Sequence, residues 1–314
     1  MRKKRSLYLL VLTIGGSLWT GCEQKLQFDF DKQTPIPVIN SILKTGDDSV
    51  RVRVTWTKNV YEQGDFPVEA HASVKLYKNN HLVGECNYLK NGWYSLAHKV
   101  EASETYRVEA SIEGQSLIWG ETRVPASLLQ VSIEYDSLQN RVINRWTDRK
   151  EEKNYYWLSS ARSSSNGSMD TLRMELQGAI STNSTLPDAF NRSFDFDEEI
   201  PAEYDYYLRV EDSGLAGENI ELVYKGNRMN YYWEPDTGCY KSVHFILSLD
   251  ECYDRYLKSS IMNEEYAMDM DSEPLFYAPL WTYSNIHGGT GLVASYSKYE
   301  DVFVKVFHKQ EGEQ

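Results

Sequence analysis

Apolar and polar residues alternate strictly in Val50-Arg-Val-Arg-Val-Thr-Trp56. A period of two fits a strand with one face buried and one face in water. The same pattern returns in Ala72-Ser-Val-Lys-Leu-Tyr77 and in Tyr106, Val108, Ala110 and Ile112. Turn chemistry separates the runs: Lys78-Asn-Asn-His81, Asn91-Gly92 and Glu113-Gly114. Val38-Ile39 with Ile42-Leu43, Trp93 to Leu96, and Leu117-Ile-Trp119 complete the series. About seven short strands over residues 35–126 predict a β-sandwich of immunoglobulin or fibronectin type III character. Val100 lies six residues before Tyr106, the spacing of a tyrosine corner.

The expected second region, residues 128–310, is larger and less regular. Strands are expected at Val131–Tyr135, Val142–Trp146, Tyr155–Leu158, Tyr206–Val210 and Ser242–Leu249. Residues 159–168 read as a polar loop, 178–199 as irregular, and Glu211 to Met229 as loop-rich. Asp250 is placed to cap a helix, and Tyr253, Tyr256, Leu257 and Ile261 follow helical spacing, so one amphipathic helix is expected near 251–265. Gly288-Gly289-x-Gly291 reads as a tight turn before two short strands, Leu292–Tyr296 and Val302–Phe307. Ile200 and Tyr206 repeat the tyrosine-corner spacing. The fold class expected is therefore mainly β: a sandwich followed by an elaborated β-domain with one helix.

The first residues give an address. Arg2-Lys3-Lys4-Arg5 precedes an apolar run from Leu7 to Leu18, then Thr20-Gly21-Cys22. A basic start, a short apolar run and small residues before a cut are the parts of an export signal. Residues 1–21 read as a lipoprotein signal peptide, Cys22 as the lipidated residue that anchors the chain to the outer membrane, and 22–34 as a polar tether. Losing Arg2, Lys3, Lys4 and Arg5 takes the formal charge from −13 to −17. So acidic a body argues against nucleic acid as a partner. An exported chain permits disulfides, and Cys239 and Cys252 are near enough in sequence to close a small loop.

No sequence constellation points to catalysis, a metal or a cofactor. The six histidines lack HxH or HExxH spacing, and no GxSxG or phosphate-binding loop is present. The acidic groups Asp195 to Glu199 and Asp269 to Glu273 lack the spacing of a calcium loop and read as solvated. Tyr231, Tyr232 and Trp233, beside polar neighbours, are candidate ligand contacts, by stacking on a sugar or a partner. Ser49, Ser137 and Thr171 each follow Asp and precede an apolar residue, and are candidate O-glycosylation acceptors.

Four segments together resemble a family of Bacteroidota lipoproteins, domain of unknown function 4249. They are Cys22-Glu23, Thr122-Arg-Val-Pro125, Val243 to Leu257, and Trp281-Thr-Tyr-Ser-Asn-Ile-His-Gly-Gly-Thr-Gly-Leu292. Ser103-Glu104 stands where the family usually has glycine before the tyrosine-corner strand. The resemblance implies an exported, lipid-anchored outer-membrane protein, often encoded beside TonB-dependent transporters, with no known catalytic activity. The expected role is a non-enzymatic accessory or binding partner of such a transporter. A glycan-binding or carbohydrate-active module and a surface adhesin are the alternatives.

Overall fold

The computed structural model describes residues 34–59, 62–136, 138–139, 141–163, 169–172, 175–181, 208–211, 217–225, 239–269 and 281–306. The expected N-terminal strands are present as β1 (Pro37–Lys44), β2 (Ser49–Trp56), β3 (Ser73–Lys78), β4 (His81–Glu85), β6 (Trp93–Ala97), β7 (Thr105–Ser111) and β8 (Ile118–Arg123), and a further strand not expected from the sequence, β5 (Asn87–Lys90), precedes β6. They form two layers, β4-β3-β7-β8 against β1-β2-β6-β5. Inward positions of both layers, including Ile39, Val52, Leu76, Tyr94 and Val108, make one core. Asn79, Asn80, Asn91 and Gly92 take the positive φ that two-residue hairpin turns require.

Tyr106 is fully buried, and its hydroxyl is held by hydrogen bonds. It accepts from Glu101 N–H at 3.1 Å and donates to Lys99 O at 3.5 Å, bracketing Val100. That is the tyrosine corner read from the spacing. Ser103 has φ +62, a backbone shape that glycine reaches at least cost.

The second region contributes β9 (Leu129–Asp136), β10 (Arg141–Thr147), β11 (Tyr155–Ser163), β12 (Met169–Leu172), β13 (Glu175–Ser181), β14 (Leu208–Glu211), β15 (Asn219–Lys225), β16 (Cys239–Leu249), helix α1 (Glu251–Asp269) and β17 (Thr290–Val306). Sheet β13-β15-β10-β9 forms one layer. Its core partners lie on β11, β14 and β16, where Trp146, Tyr156, Leu158, Val210, Tyr224 and Ile246 meet. Helix α1 covers the opposite face of β11 and β16, setting Tyr253, Leu257 and Ile261 on Tyr155, Trp157 and Leu249.

The expected partition at 126/128 does not fall between sheets. One nine-stranded sheet runs β12-β11-β16-β17-β1-β2-β6-β5, with β14 also on β11. β17 lies parallel to β1 from Val38↔Thr290 to Lys44↔Tyr296, then continues antiparallel to β16 as far as Val306. The two short strands expected at 292–296 and 302–307 are thus one long strand shared by both sandwiches. The segment between the sandwiches is held in place as well, because Ser297 Oγ donates to Ala126 O at 2.9 Å.

Three loop readings are corrected. β11 runs on through Ser163 because Ser159, Ser160 and Ala161 are small, buried and paired with Phe245, His244 and Val243. β13 enters the stretch expected to be irregular, and β15 lies inside the one expected to be loop-rich. In each case pairing with a distant strand overrides weak local propensity.

Candidate functional site

The most concentrated polar chemistry surrounds the start of α1, where β8, β11, β14 and β17 meet. Asp250 caps the helix: its Oδ1 accepts Tyr253 N–H at 3.0 Å and Ser295 N–H at 3.2 Å. Thr122 Oγ1 on β8 donates to Asp250 Oδ2 at 2.6 Å and lies 2.6 Å from Ser295 Oγ. Ser295 Oγ in turn donates to Arg123 O at 3.1 Å. One carboxylate therefore joins the first sandwich, the shared strand and the helix.

One helical turn further on, Asp254 sits in a second network. Arg209 Nε and Nη2 donate to its two carboxylate oxygens at 2.6 and 2.8 Å, and Trp157 Nε1 donates at 2.8 Å. Arg209 and Asp254 side chains are only 4% and 2% exposed, so this is a buried bidentate pair. Glu211 adds a contact to Arg209 Nη2 at 3.2 Å. Burial alone would lower the guanidinium pKa, but Asp254 and Glu211 hold it above its usual value.

The segment ending in Gly291 forms a clasp. Asn285 Nδ2 donates to Val293 O at 2.7 Å and Glu121 O at 3.0 Å, while its Oδ1 accepts Val293 N–H at 2.9 Å. A Cβ on Gly289 would lie 2.5 Å from Pro37 O, and one on Gly291 2.1 Å from Ile39 O. The glycines of the motif thus admit the β1 backbone, in a tight turn that opens β17. His287 stacks on Trp119 at 4.0 Å, and Arg107 Cζ lies 4.0 Å from the same ring, extending the clasp onto β8 and β7.

A third cluster resembles a hydrolase dyad without its chemistry. Tyr224 hydroxyl lies 2.6 Å from His244 Nδ1, and His244 Nε2 lies 3.2 Å from Ser242 Oγ. All three side chains are buried, and Phe303 packs edge-on against the imidazole at 5.3 Å. Burial pushes His244 down to about 4, too weak a base to activate a serine near neutrality. The same burial pushes the Tyr224 hydroxyl up.

The shifts of Asp250 and His244 have opposite consequences for stability. Burial pushes Asp250 up to about 6, against the hydrogen bonds it accepts. Its unfolded pKa is roughly 4, so between roughly pH 4 and 6 the folded chain keeps a proton the unfolded chain releases. Stability from Asp250 therefore falls as pH rises through that window. His244 titrates below its unfolded value of roughly 6.5, so its contribution is lost as pH falls from there toward 4. The slopes nearly offset. Urea midpoints measured across that range are expected to steepen in Asp250→Asn, with a loss on the order of 3 kcal/mol on acidification, and to reverse in His244→Gln. Unchanged slopes in both variants would refute the assignment.

The sequence-derived candidates are distributed differently. Cys22, Tyr231, Tyr232, Trp233, Ser137, Tyr206 and Asp195 to Glu199 lie outside the described residues. Ser49 begins β2 opposite Ala97, half-buried, and Thr171 lies in β12 opposite Ala161. The expected Cys239–Cys252 bridge is corrected. Cys252 is a free thiol whose Sγ accepts from the Tyr283 hydroxyl at 3.7 Å. Cys239 starts the 11-residue extended strand that ends at Leu249, which puts the pair roughly 30 Å apart, far beyond disulfide reach. Among the described residues, no three His, Cys, Asp or Glu side chains are grouped to hold a metal ion. Arg209 and Asp254 went unnoticed in the sequence. The available signal was an arginine inside the apolar run Leu208-Arg-Val210 and an acid one turn after a helix cap.

Among the described residues, these features define a mainly β body of two sandwiches joined by a shared sheet, with one capped helix. The chain belongs to the family described as a domain of unknown function, DUF4249, which matches residues 23–301. A search of curated proteins finds no match.

Proposed function

We propose that this chain is a lipid-anchored outer-membrane protein that acts without catalysis, as an accessory or binding partner of a TonB-dependent transporter. The observation that carries the reading is where the family match begins. It starts at residue 23, directly after Cys22, and leaves out the basic and apolar leader. The geometry adds support, since the buried Asp250, Asp254, Arg209 and His244 each hold elements together. A lipid at Cys22 would confine the body near the membrane and raise its effective concentration for a membrane-embedded partner.

Fractionation of cells producing a tagged chain tests both halves together. The wild-type chain is expected in the outer membrane, co-eluting with a TonB-dependent transporter after detergent extraction. Cys22→Ala is expected to leave the membrane fraction and lose that partner. Unchanged fractionation of the variant sinks the anchor, and elution of the wild-type chain without a transporter sinks the partnership.

A further inference from the structure

The outward face of the first sandwich's shared layer has a composition at odds with the rest of the chain. Cross-strand register puts Asn40, Arg53 and Trp93 side by side, with Arg51 next to Ser95 and Lys90 opposite Trp93. Outward positions of β1, β2 and β6 include no acid, in a chain of formal charge −13. Lys44, at one end, is paired with Asp47 at 3.7 Å. Arg51, Arg53 and Lys90 have no carboxylate within ion-pair distance among the described residues, and Arg53 Nε has no hydrogen-bond partner. The Arg53 guanidinium instead lies 5.8 Å from the Trp93 ring.

Exposed apolar groups share this face. Ile42 is 46% exposed and Trp93 38%. Val68, 44% exposed, bridges Thr55 on the same side of the sheet. Cations interspersed with exposed aromatic and aliphatic groups suit the boundary between headgroups and acyl chains, where each basic residue adds attraction to anionic lipid.

We propose that this face, centred on Arg51, Arg53 and Trp93, docks on anionic lipid headgroups. The inference rests on the anchored reading for its location. Cys22 precedes Pro37 by fifteen residues, a reach of at most about 50 Å, so a lipid there keeps β1 close to the bilayer. An anionic surface repels the acidic remainder of the body and attracts this one face, which sets an orientation as well as a contact. An acidic protein segment would satisfy the cations but would leave Ile42 and Val68 without an apolar partner.

The chain from Glu23 onward contains every described element, so it carries the face without a lipid. It is expected to sediment with vesicles of phosphatidylglycerol and phosphatidylethanolamine, not with phosphatidylcholine alone, and to be released by molar salt. Arg51→Gln/Arg53→Gln is expected to weaken that binding roughly 25-fold. Lys99→Glu, at an exposed position between β6 and β7, is expected to leave it unchanged. Should the arginine variant unfold, Lys90→Gln/Trp93→Ser tests the same face on β5 and β6. Equal binding by the variants, equal binding to both kinds of vesicle, or capture by polyglutamate with none by vesicles would overturn the proposal. Failure here leaves Cys22→Ala fractionation untouched, so loss of the face and loss of the anchor are separable.

Discussion

Asp254→Ala is expected to lower the unfolding free energy by about 3–5 kcal/mol, the cost of stranding one member of a buried pair. The substitution leaves the Arg209 guanidinium 4% exposed without its bidentate partner and removes the acceptor for Trp157 Nε1. Glu211 stays 3.2 Å from Nη2, but it is one-third exposed and contacts a single nitrogen. Replacing both partners, Arg209→Met with Asp254→Leu, is expected to cost less than the single change, because no charge is then left in the interior. Urea unfolding of the two singles and the double measures the coupling. A double variant as unstable as Asp254→Ala would show that packing, and not the ion pair, governs the site.

Gly291→Ala is expected to be nearly as damaging, at roughly 3–5 kcal/mol. Gly291 has φ +115, and a Cβ there would lie 2.1 Å from Ile39 O and 2.9 Å from Ile39 C. Both are backbone atoms of the paired strand, so relief requires β1 and β17 to separate where the two sandwiches are joined. Gly46→Ala is the control: its φ is +86 but nothing lies within 4 Å, so only the left-handed strain of about 1–2 kcal/mol is expected. Thermal midpoints of the two variants compare strain alone with strain plus collision. Equal shifts would mean that the close approach of β1 carries little energy.

Much of the first sandwich was legible because its signals are local. Val50 to Trp56 alternates, Asn91-Gly92 can take positive φ, and Tyr106 stands at the right distance from Val100. Each is fixed by backbone sterics or by side-chain direction over a few residues. The helix was legible for the same reason, since Asp250 supplies the cap and Tyr253, Leu257 and Ile261 supply one face. The Gly288-Gly289-x-Gly291 turn was recognisable, but its purpose was not, because the backbone it admits lies about 250 residues away at Ile39.

The polar clusters and the sheet connectivity were not legible. Ser159 and Ser160 belong to a strand because Phe245 and His244 arrive beside them, and nothing local announces that pairing. Cys239 and Cys252 looked close because thirteen positions separate them, yet an extended strand converts sequence proximity into distance.

By itself, the sequence determined the class of element at many of the described positions, the cap, the turns, and a basic N-terminal stretch in an otherwise acidic chain. Periodicity, φ preference and charge are properties of a residue and its near neighbours. Tertiary structure alone decided that β17 spans both sandwiches, that Arg209 meets Asp254, and that Arg51, Arg53, Lys90 and Trp93 collect on one open face. Those outcomes depend on which strands pair and in what register, a choice made by burial and fit across the whole chain.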